Sequence, residues 1–464
     1  MSTQTVPTLQ DLAIQRVLSY EALPIPNLEI LNRVLILQLY KEALMGGHVE
    51  MVMKMVLSCP LACLPMGYLK KTRNTKALIT MLNGLDRLFE ELIPLSQWKL
   101  QALDFRDENQ ESPFLASRAP PGACLQEAGC PKNRRKRRQR RGNQRLKVFI
   151  DLQMEEAMLS EFVHTLTSWV LGRKFSVRMY CEKLTVRYSV YYKLMNALPL
   201  DYVQELVVDS RWRRDQLERL FFYLHKMRNL RVFRFSNMSP SALTCRSLNR
   251  WFSHKYSLQL RKMDKLREFC VNDVFFLQGT LHKILLSQTP LEKLSLTHSP
   301  LKESDLKHLA VCPSTDQLKH LELCSFSLKE MSPEPLRDLL QKVANTLETL
   351  HLEYCKITDS QLNAILPALG HCSQLRTFHF CGNDISLCAL KSLLCHTARL
   401  TQLTEGEYPA PEELRESLNP REAKSEKLDM VRREVTQLVK DIRPAHDVRI
   451  RYSFSEVLFS VPST

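Results

Sequence analysis

The sequence predicts an α/β fold: a leucine-rich repeat solenoid with a helical N-terminal region and a C-terminal cap. Three observations predict it. First, LEKLSLTHSPL from Leu291, LKHLELCSFSL from Leu318, LETLHLEYCKI from Leu347 and LRTFHFCGNDI from Leu375 all fit L-x-x-[LF]-x-[LF]-x-x-z-x-[LI]. Second, their starts are 27, 29 and 28 residues apart, the period of a leucine-rich repeat, in which one strand and one helix recur as a unit. Third, the apolar period switches within each unit. In LETLHL, Leu350 and Leu352 alternate with Thr349 and His351, as in a strand with one buried face. Leu362, Ile365, Leu366 and Leu369 then follow at helical spacing. Units of about 28 residues stack into a horseshoe of the ribonuclease-inhibitor type with an inner parallel sheet.

Along the chain, residues 1–106 read as a helical region with few breakers. Residues 107–145 read as a flexible basic linker, marked by Pro120-Pro121 and the run KNRRKRRQRR. Residues 146–411 read as the solenoid. Weaker copies begin at Val203, Leu230 and Leu266, the stretch from Phe175 to Val186 supplies a further strand, and LTQLTE at Leu400 is a decaying copy, about eight units in all. Cys355 and Asn383 occupy the z position, where a small polar side chain bonds the turning backbone; Ser299 fits there and Phe326 does not. Thr358 with Gln361 reads as a capping box for the following helix. Residues 412–464 read as the cap that a solenoid needs at its last apolar face. There Leu428, Val431, Val435, Leu438 and Ile442 form one helical seam, and Val448, Ile450, Tyr452 and Phe454 alternate as a last strand.

Composition narrows the function. Of 464 residues, 44% are hydrophobic and 25% charged, the balance of a globular chain. Lys and Arg number 65 against 50 acids, a net charge of +15, but eight of the basic residues lie between Lys132 and Arg141, and without them the charge is +7. The excess describes one segment more than one surface. The N-terminus lacks the basic start and apolar core of a signal peptide. The most apolar stretch, Leu28 to Leu44, is interrupted by Asn32, Arg33, Lys41 and Glu42, so no membrane partner is expected. Fourteen cysteines are too sparse for a disulfide scaffold and are expected as reduced thiols. No GxxxxGK[ST], GxGxxG, HExxH, GxSxG or CxxC occurs, so neither an enzyme nor a cofactor or metal site is expected.

The solenoid is expected to present its concave sheet to a protein partner through Lys293, His320, Glu322, Thr349, His351, Glu353 and His379, which are mixed in charge. His351 and His379 hold equivalent strand positions and should stand as neighbours, with His320 one repeat back at a different position. The two read as a solvated row, with metal binding or pH sensing as the alternative.

Several blocks resemble the PRAME family of leucine-rich repeat proteins. CPLACLPMGYLKK (Cys59 to Lys71), MLNGLDRLF (Met81 to Phe89) and QWKLQALDFR (Gln97 to Arg106) are similar to the family's N-terminal blocks. MSPEPLRDLLQ (Met331 to Gln341) and ITDSQLNAILPALGHCSQLRTFHFCGNDIS (Ile357 to Ser386) are similar to its repeats. The likeness covers nearly the whole chain and is identified with the rodent-like, oogenesin type of member. The Cys- and His-containing tail of many members is absent here, where the chain ends SFSEVLFSVPST.

The resemblance implies a substrate receptor of a cullin-2 RING ubiquitin ligase, with elongin B, elongin C, cullin-2, a RING subunit and an unknown target protein as partners. It also implies influence on proliferation, differentiation and apoptosis in the cytoplasm and nucleus. The alternative it carries is a nuclear transcriptional corepressor or scaffold that acts by binding alone. The elongin C contact would be a helix bearing Leu9, Ala13 and Val17, with Leu12 on the same stripe; the alternative is an N-terminal helix packed on the solenoid. Spacing of i, i+4 and i+8 puts a large anchor, a small residue and a second anchor in line, and Thr8 with Asp11 can cap the helix. A cullin contact would follow at Leu28, Leu31, Val34 and Leu35. The family commonly has Leu-Pro there, whereas this chain has Leu31-Asn32.

The basic run comprises Lys132, Arg134, Arg135, Lys136, Arg137, Arg138, Arg140 and Arg141. It reads as a nuclear import signal recognised by an importin, as an arginine-rich RNA contact, or as a solvated linker. Deleting 132–141 is expected to shift the protein toward the cytoplasm, measured by imaging beside the intact chain; an identical distribution would remove the import reading.

Overall fold

The structure is a computed structural model of the chain and describes residues 8–19, 30–58, 61–91, 95, 98–106, 145–154, 160–187, 191–209, 214–237, 254, 258–259, 262–275, 277–285, 289–415, 421–442, 447–452 and 457–461. It divides into two compact units, residues 1–184 with 191–199 and residues 185–190 with 200–464. Packing therefore groups 146–184 with the first unit, whereas the sequence reading opened the solenoid at 146.

In the first unit, helices α1 (Leu9–Ser19), α2 (Arg33–Met45), α3 (Val49–Ser58), α4 (Gly67–Thr72) and α5 (Thr75–Glu90) precede α6 (Glu161–Gly172). Their buried faces carry Ile36, Leu39 and Tyr40 on α2, Met51, Val52, Met55 and Val56 on α3, and Leu78, Met81, Leu85 and Leu88 on α5. Asp86 ties α5 to α6 by accepting from Trp169 Nε1 at 2.7 Å and pairing with Arg173 at 2.5 Å. This region is not wholly helical. Strands β1 (Cys63–Pro65) and β2 (Ala102–Asp104) join β3 (Leu146–Phe149) and β5 (Val177–Tyr180) in a four-stranded sheet of order β1-β2-β3-β5, whose strands are parallel. β4 (Leu152–Met154) lies between the last two in sequence, and β6 (Lys183–Val186) straddles the division between the units. The expected strand from Phe175 to Val186 is thus two strands. Three-residue strands carry no period of their own, and their pairing partners are far away in sequence, which is why β1 and β2 escape a pattern reading.

The second unit is mixed α/β with a large sheet. Strands β7 (Glu205–Asp209), β8 (Val232–Ser236), β9 (Glu268–Asn272), β10 (Lys293–Thr297), β11 (His320–Cys324), β12 (Thr349–His351), β13 (Thr377–His379), β14 (Glu405–Pro409) and β15 (Asp447–Arg451) stand side by side in chain order, and each pair between them is parallel. Leu206, Phe233, Phe269, Leu294, Leu321, Leu350 and Phe378 pair in one unbroken row. None is more than 2% exposed. Between strands, the helices Glu303–Val311, Glu334–Val343, Asp359–Leu369 and Leu387–Thr397 pack each on the next.

The exit from the strands repeats as well. Asn237, Asp273, His298, Ser325, Tyr354 and Gly382 all have φ between 48 and 70°, and each lies five residues after the first residue of its strand. Five of them donate their N–H to a carbonyl on the next strand segment: Asn272, Thr297, Cys324, Glu353 and Cys381, at 2.8–3.0 Å. At Gly382 a Cβ would stand 2.4 Å from the Tyr354 ring. One position later, the z residue Asn383 is fully buried and completely bonded. Its Nδ2 donates to the Leu352 and Phe380 carbonyls at 2.7 Å, and its Oδ1 accepts from the Cys355 and Ile357 N–H groups at 3.2 and 3.1 Å. Ser299 accepts from Val274 N–H at 3.1 Å in the same role, and Phe326 is simply buried. The Thr358–Gln361 capping box is formed.

At the C-terminal end, the helix Arg421–Ile442 packs on the helix Leu387–Thr397 and on β16 (Val457–Val461). Its buried seam is Val431, Val435 and Val439, while Leu438 and Ile442 are half-buried; the contact follows i, i+4, i+8 rather than the expected 3-4-3-4. The last strand also differs from expectation. β15 ends at Arg451 with Tyr452 40% exposed, Phe454 lies outside the described residues, and β16 follows as an antiparallel partner of β15. The described cysteines are free thiols, and among the described residues no helix is long and apolar enough to cross a membrane.

Leu350→Ala empties a fully buried position in the central row. It is expected to cost about 2–5 kcal/mol in denaturant unfolding; an unchanged midpoint would contradict the row's register.

Candidate functional site

Two surfaces carry the side chains singled out by the sequence, one in each unit. The first is α1. Thr8 and Asp11 form its cap: Thr8 N–H and Oγ1 donate to the Asp11 carboxylate at 2.9 and 2.7 Å, and Asp11 N–H donates to Thr8 Oγ1 at 3.2 Å. These bonds hold the Asp11 carboxyl below its usual range, the Thr8 side chain first among them. Ile14 and Leu18 are buried and seat the helix on α2. Gln38 on α2 locks the contact, accepting from Gln10 at 2.6 Å and donating to Asp11 at 3.0 Å. With i and i+4 buried, the opposite face points to solvent. It bears Leu9, 88% exposed, Leu12, 51% exposed, and exposed Ala13, with half-buried Val17 at its edge; Arg16 shares this face.

Of the expected cullin residues, Leu31 and Leu35 are half-buried, Val34 is exposed, and Leu28 lies outside the described residues. Asn32 is the N-cap of α2 and accepts from Leu35 N–H at 2.9 Å. The expected linker and the basic run from Lys132 to Arg141 also lie outside the described residues.

The second surface is the solvent side of the large sheet. In-register pairing places Ser295, Glu322, His351, His379, Glu407 and Arg449 next to one another in a single row across six strands. Lys293, His320 and Thr349 form the adjacent row. Glu322 accepts from Lys293 at 2.5 Å and from Ser295 at 2.6 Å. Burial favours its neutral form, but those two bonds outweigh it and hold the carboxyl below its usual range. His320 Nδ1 is 3.0 Å from Thr349 Oγ1. At the far end, Glu407 is only 4% exposed and is held by Arg451 at 2.7 Å to both oxygens and by Arg449 at 3.2 Å. Burial opposes its charge, yet the arginines keep its carboxyl low.

Between these ionic ends stand His351 and His379, rings stacked at 4.3 Å between centroids and 10° between planes. Burial, then the neighbouring His379, pushes His351 down to about 4, and burial lowers His379 as well. The Nε2 atom of each is shielded from solvent and has no hydrogen-bond partner among the described residues. Glu353, two residues on from His351, is raised by burial and then by Glu407.

The expected neighbouring of His351 and His379 is therefore present, with His320 out of their row. The sequence reading missed Glu405, Glu407, Arg449 and Arg451. Their strands, EGEYP and DVRIR, lack the leucine signature, although LTQLTE at Leu400 announced the first of them.

This is a mixed α/β protein whose second unit repeats a strand and a helix along a large sheet that carries an ionic strip. The chain belongs to the PRAME family. The family's N-terminal domain matches residues 6–112 and its C-terminal domain residues 146–458. Human PRAME family member 12 is 39% identical over 89% of this chain and 86% of its own length, and human PRAME family member 20 is 39% identical over 89% and 88%. Human PRAME family member 22 is 36% identical over 96% and 92%. A solved plant peptide hormone receptor (RGFR1, in complex with RGF2) overlays with a TM-score of 0.26 at 11% identity, covering 51% of this chain and 36% of that one.

Glu407→Ala strips two arginines of a buried partner and is expected to lower stability by about 1–3 kcal/mol. Glu405→Ala removes a carboxylate 41% exposed and should cost under about 1 kcal/mol. Urea unfolding of both variants checks the contrast; equal losses would mean that burial of Glu407 is immaterial.

Proposed function

We propose that the chain is the substrate-recognition subunit of a cullin-2 RING ubiquitin ligase. The family likeness motivates this reading, and one observation carries it to particular residues. α1 is seated by Ile14 and Leu18 and turns Leu9, Leu12 and Ala13 outward. An apolar face with a small residue between two anchors suits insertion into a groove, here that of elongin C, with elongin B as its companion. Leu31, Val34 and Leu35 then contribute the cullin-2 contact together with Leu28, and the sheet of the second unit, a leucine-rich repeat horseshoe of about 28-residue repeats, holds the target protein for ubiquitination and proteasomal degradation. The chain acts by binding and not as an enzyme itself, in the cytoplasm and, by import through 132–141, in the nucleus. Elongin C capture lost with target binding kept would instead describe a scaffold or transcriptional corepressor.

Leu9→Ser and Ala13→Arg are expected to abolish elongin C capture. Leu9 would lose an apolar anchor worth about 1.5–3 kcal/mol on full burial. Both side chains are exposed in the free chain, so its melting temperature should not change. Co-purification and thermal unfolding of each variant check this; a variant that captures elongin C as the intact chain does would sink the assignment. Leu31→Ser should weaken cullin-2 while elongin C stays bound. Paired Ala substitutions at His351 and Glu353 should reduce target capture with the ligase subunits retained.

A further inference from the structure

The His351–His379 stack is built unlike the rest of the strip. Its neighbours along the row are satisfied: Glu322 by Lys293 and Ser295, Glu407 by Arg451 and Arg449. The two imidazoles are instead held parallel, each with a shielded Nε2 that bonds nothing among the described residues. Beside them the Glu353 carboxylate takes part in no hydrogen bond or ion pair among the described residues; burial and the negative Glu407 oppose its charge more than the nearby Arg451 supports it. One ligand atom from each of His351, His379 and Glu353 lies within 4.8 Å of the other two.

We propose that His351, His379 and Glu353 bind a zinc-class divalent cation on the solvent side of the sheet. Two neutral imidazoles and one carboxylate are the donor set of open zinc sites and suit other borderline divalent metals. Ligand atoms bonded at about 2.1 Å in a tetrahedron stand roughly 3.4 Å apart, so closing the site needs about an ångström of side-chain movement. The backbone already provides the rest. Strand pairing sets the two histidines opposite each other, and Glu353 follows His351 by two residues, in the turn that leaves β12. A cation would be held by one ring nitrogen of each histidine and would neutralise the Glu353 carboxylate.

The other candidate ligands nearby are less suited. Glu407 is held by two arginines, and the Cys381 thiol, pushed up to about 12 chiefly by burial, stays protonated. A fourth coordination position would remain open toward solvent, for water or an acidic group of a bound partner. The site shares His351 and Glu353 with the proposed target surface, but titration of the metal alone reads it without any target or ligase subunit.

The test uses the intact, untagged chain, stripped with chelator and titrated with Zn²⁺ by calorimetry. One equivalent should bind, with affinity at least about tenfold weaker in His379→Asn and in Glu353→Gln, and unchanged in His320→Asn. Both ligand variants keep the shape of the original side chain, and unfolding curves of the metal-free proteins verify that they fold. Co²⁺ in place of Zn²⁺ should give visible bands without a sulfur-to-metal charge-transfer band. The proposal is overturned by no binding to the intact chain, by equal binding to His379→Asn, by an equal loss in His320→Asn, or by a thiolate charge-transfer band.

Discussion

Everything in the second unit depends on how its strands end. Six successive strands exit through a residue in left-handed backbone, always at the same count from the strand start, and five of those residues donate to the neighbouring strand segment. Asn, Asp, His, Ser and Tyr accept this conformation, although most L-residues avoid it. The bond to the neighbour stabilises each turn in the context of the next. A strand that slipped by one residue would turn Leu321 or Leu350 to water and their polar neighbours inward. The repeated turn fixes the register, and the register assembles the apolar row from Leu206 to Phe378.

The same register determines what the exposed side of the sheet can do. Residues of equal rank on adjacent parallel strands stand about 4.8 Å apart, so a short side chain on one strand reaches its equivalent on the next. Longer side chains also meet diagonally: Glu205, Arg234 and Glu268 bond at 2.8 and 2.9 Å at one end, and Glu405, Glu407, Arg449 and Arg451 bond at the other. A surface of this kind discriminates partners by the placement of alternating charges. The bulk positive charge of the chain resides elsewhere, in residues 132–141.

Legibility in the sequence followed the range of the interactions. Period and alternation are local, and they exposed the four strongest units, the Thr358–Gln361 box, the Thr8–Asp11 cap and the adjacency of His351 and His379. Non-local pairing leaves no such trace. β1 pairs with the distant β2, β2 finds β3 across the 107–145 segment, and β16 becomes a strand by folding back on β15, although Val457, Phe459 and Val461 do alternate. Asp305 shows the same limit. It is fully buried, and its carboxylate accepts from Lys302, Gly279 and Leu281 N–H groups, two of them in the preceding unit. Nothing in its own segment distinguishes it from a surface helix-start aspartate. The outward face of α1 was readable as a stripe, but its exposure was not, because only the packing of Ile14 and Leu18 decides which side of the helix is free.

Stacking each unit only on its neighbours has a kinetic consequence. A unit in the middle of the array is held from both sides, whereas one at an end loses half of its contacts when a single neighbour opens. Opening therefore proceeds inward from the ends, and amide protons should report it as a gradient of hydrogen exchange. The amides of β10 to β13, flanked on both sides and fastened by Asn383 and the left-handed turns, sit at the protected centre. The β15–β16 hairpin and the helix Arg421–Ile442 close one end of that gradient, so losing them would shift the most protected amides away from the C-terminus without altering a contact at the centre.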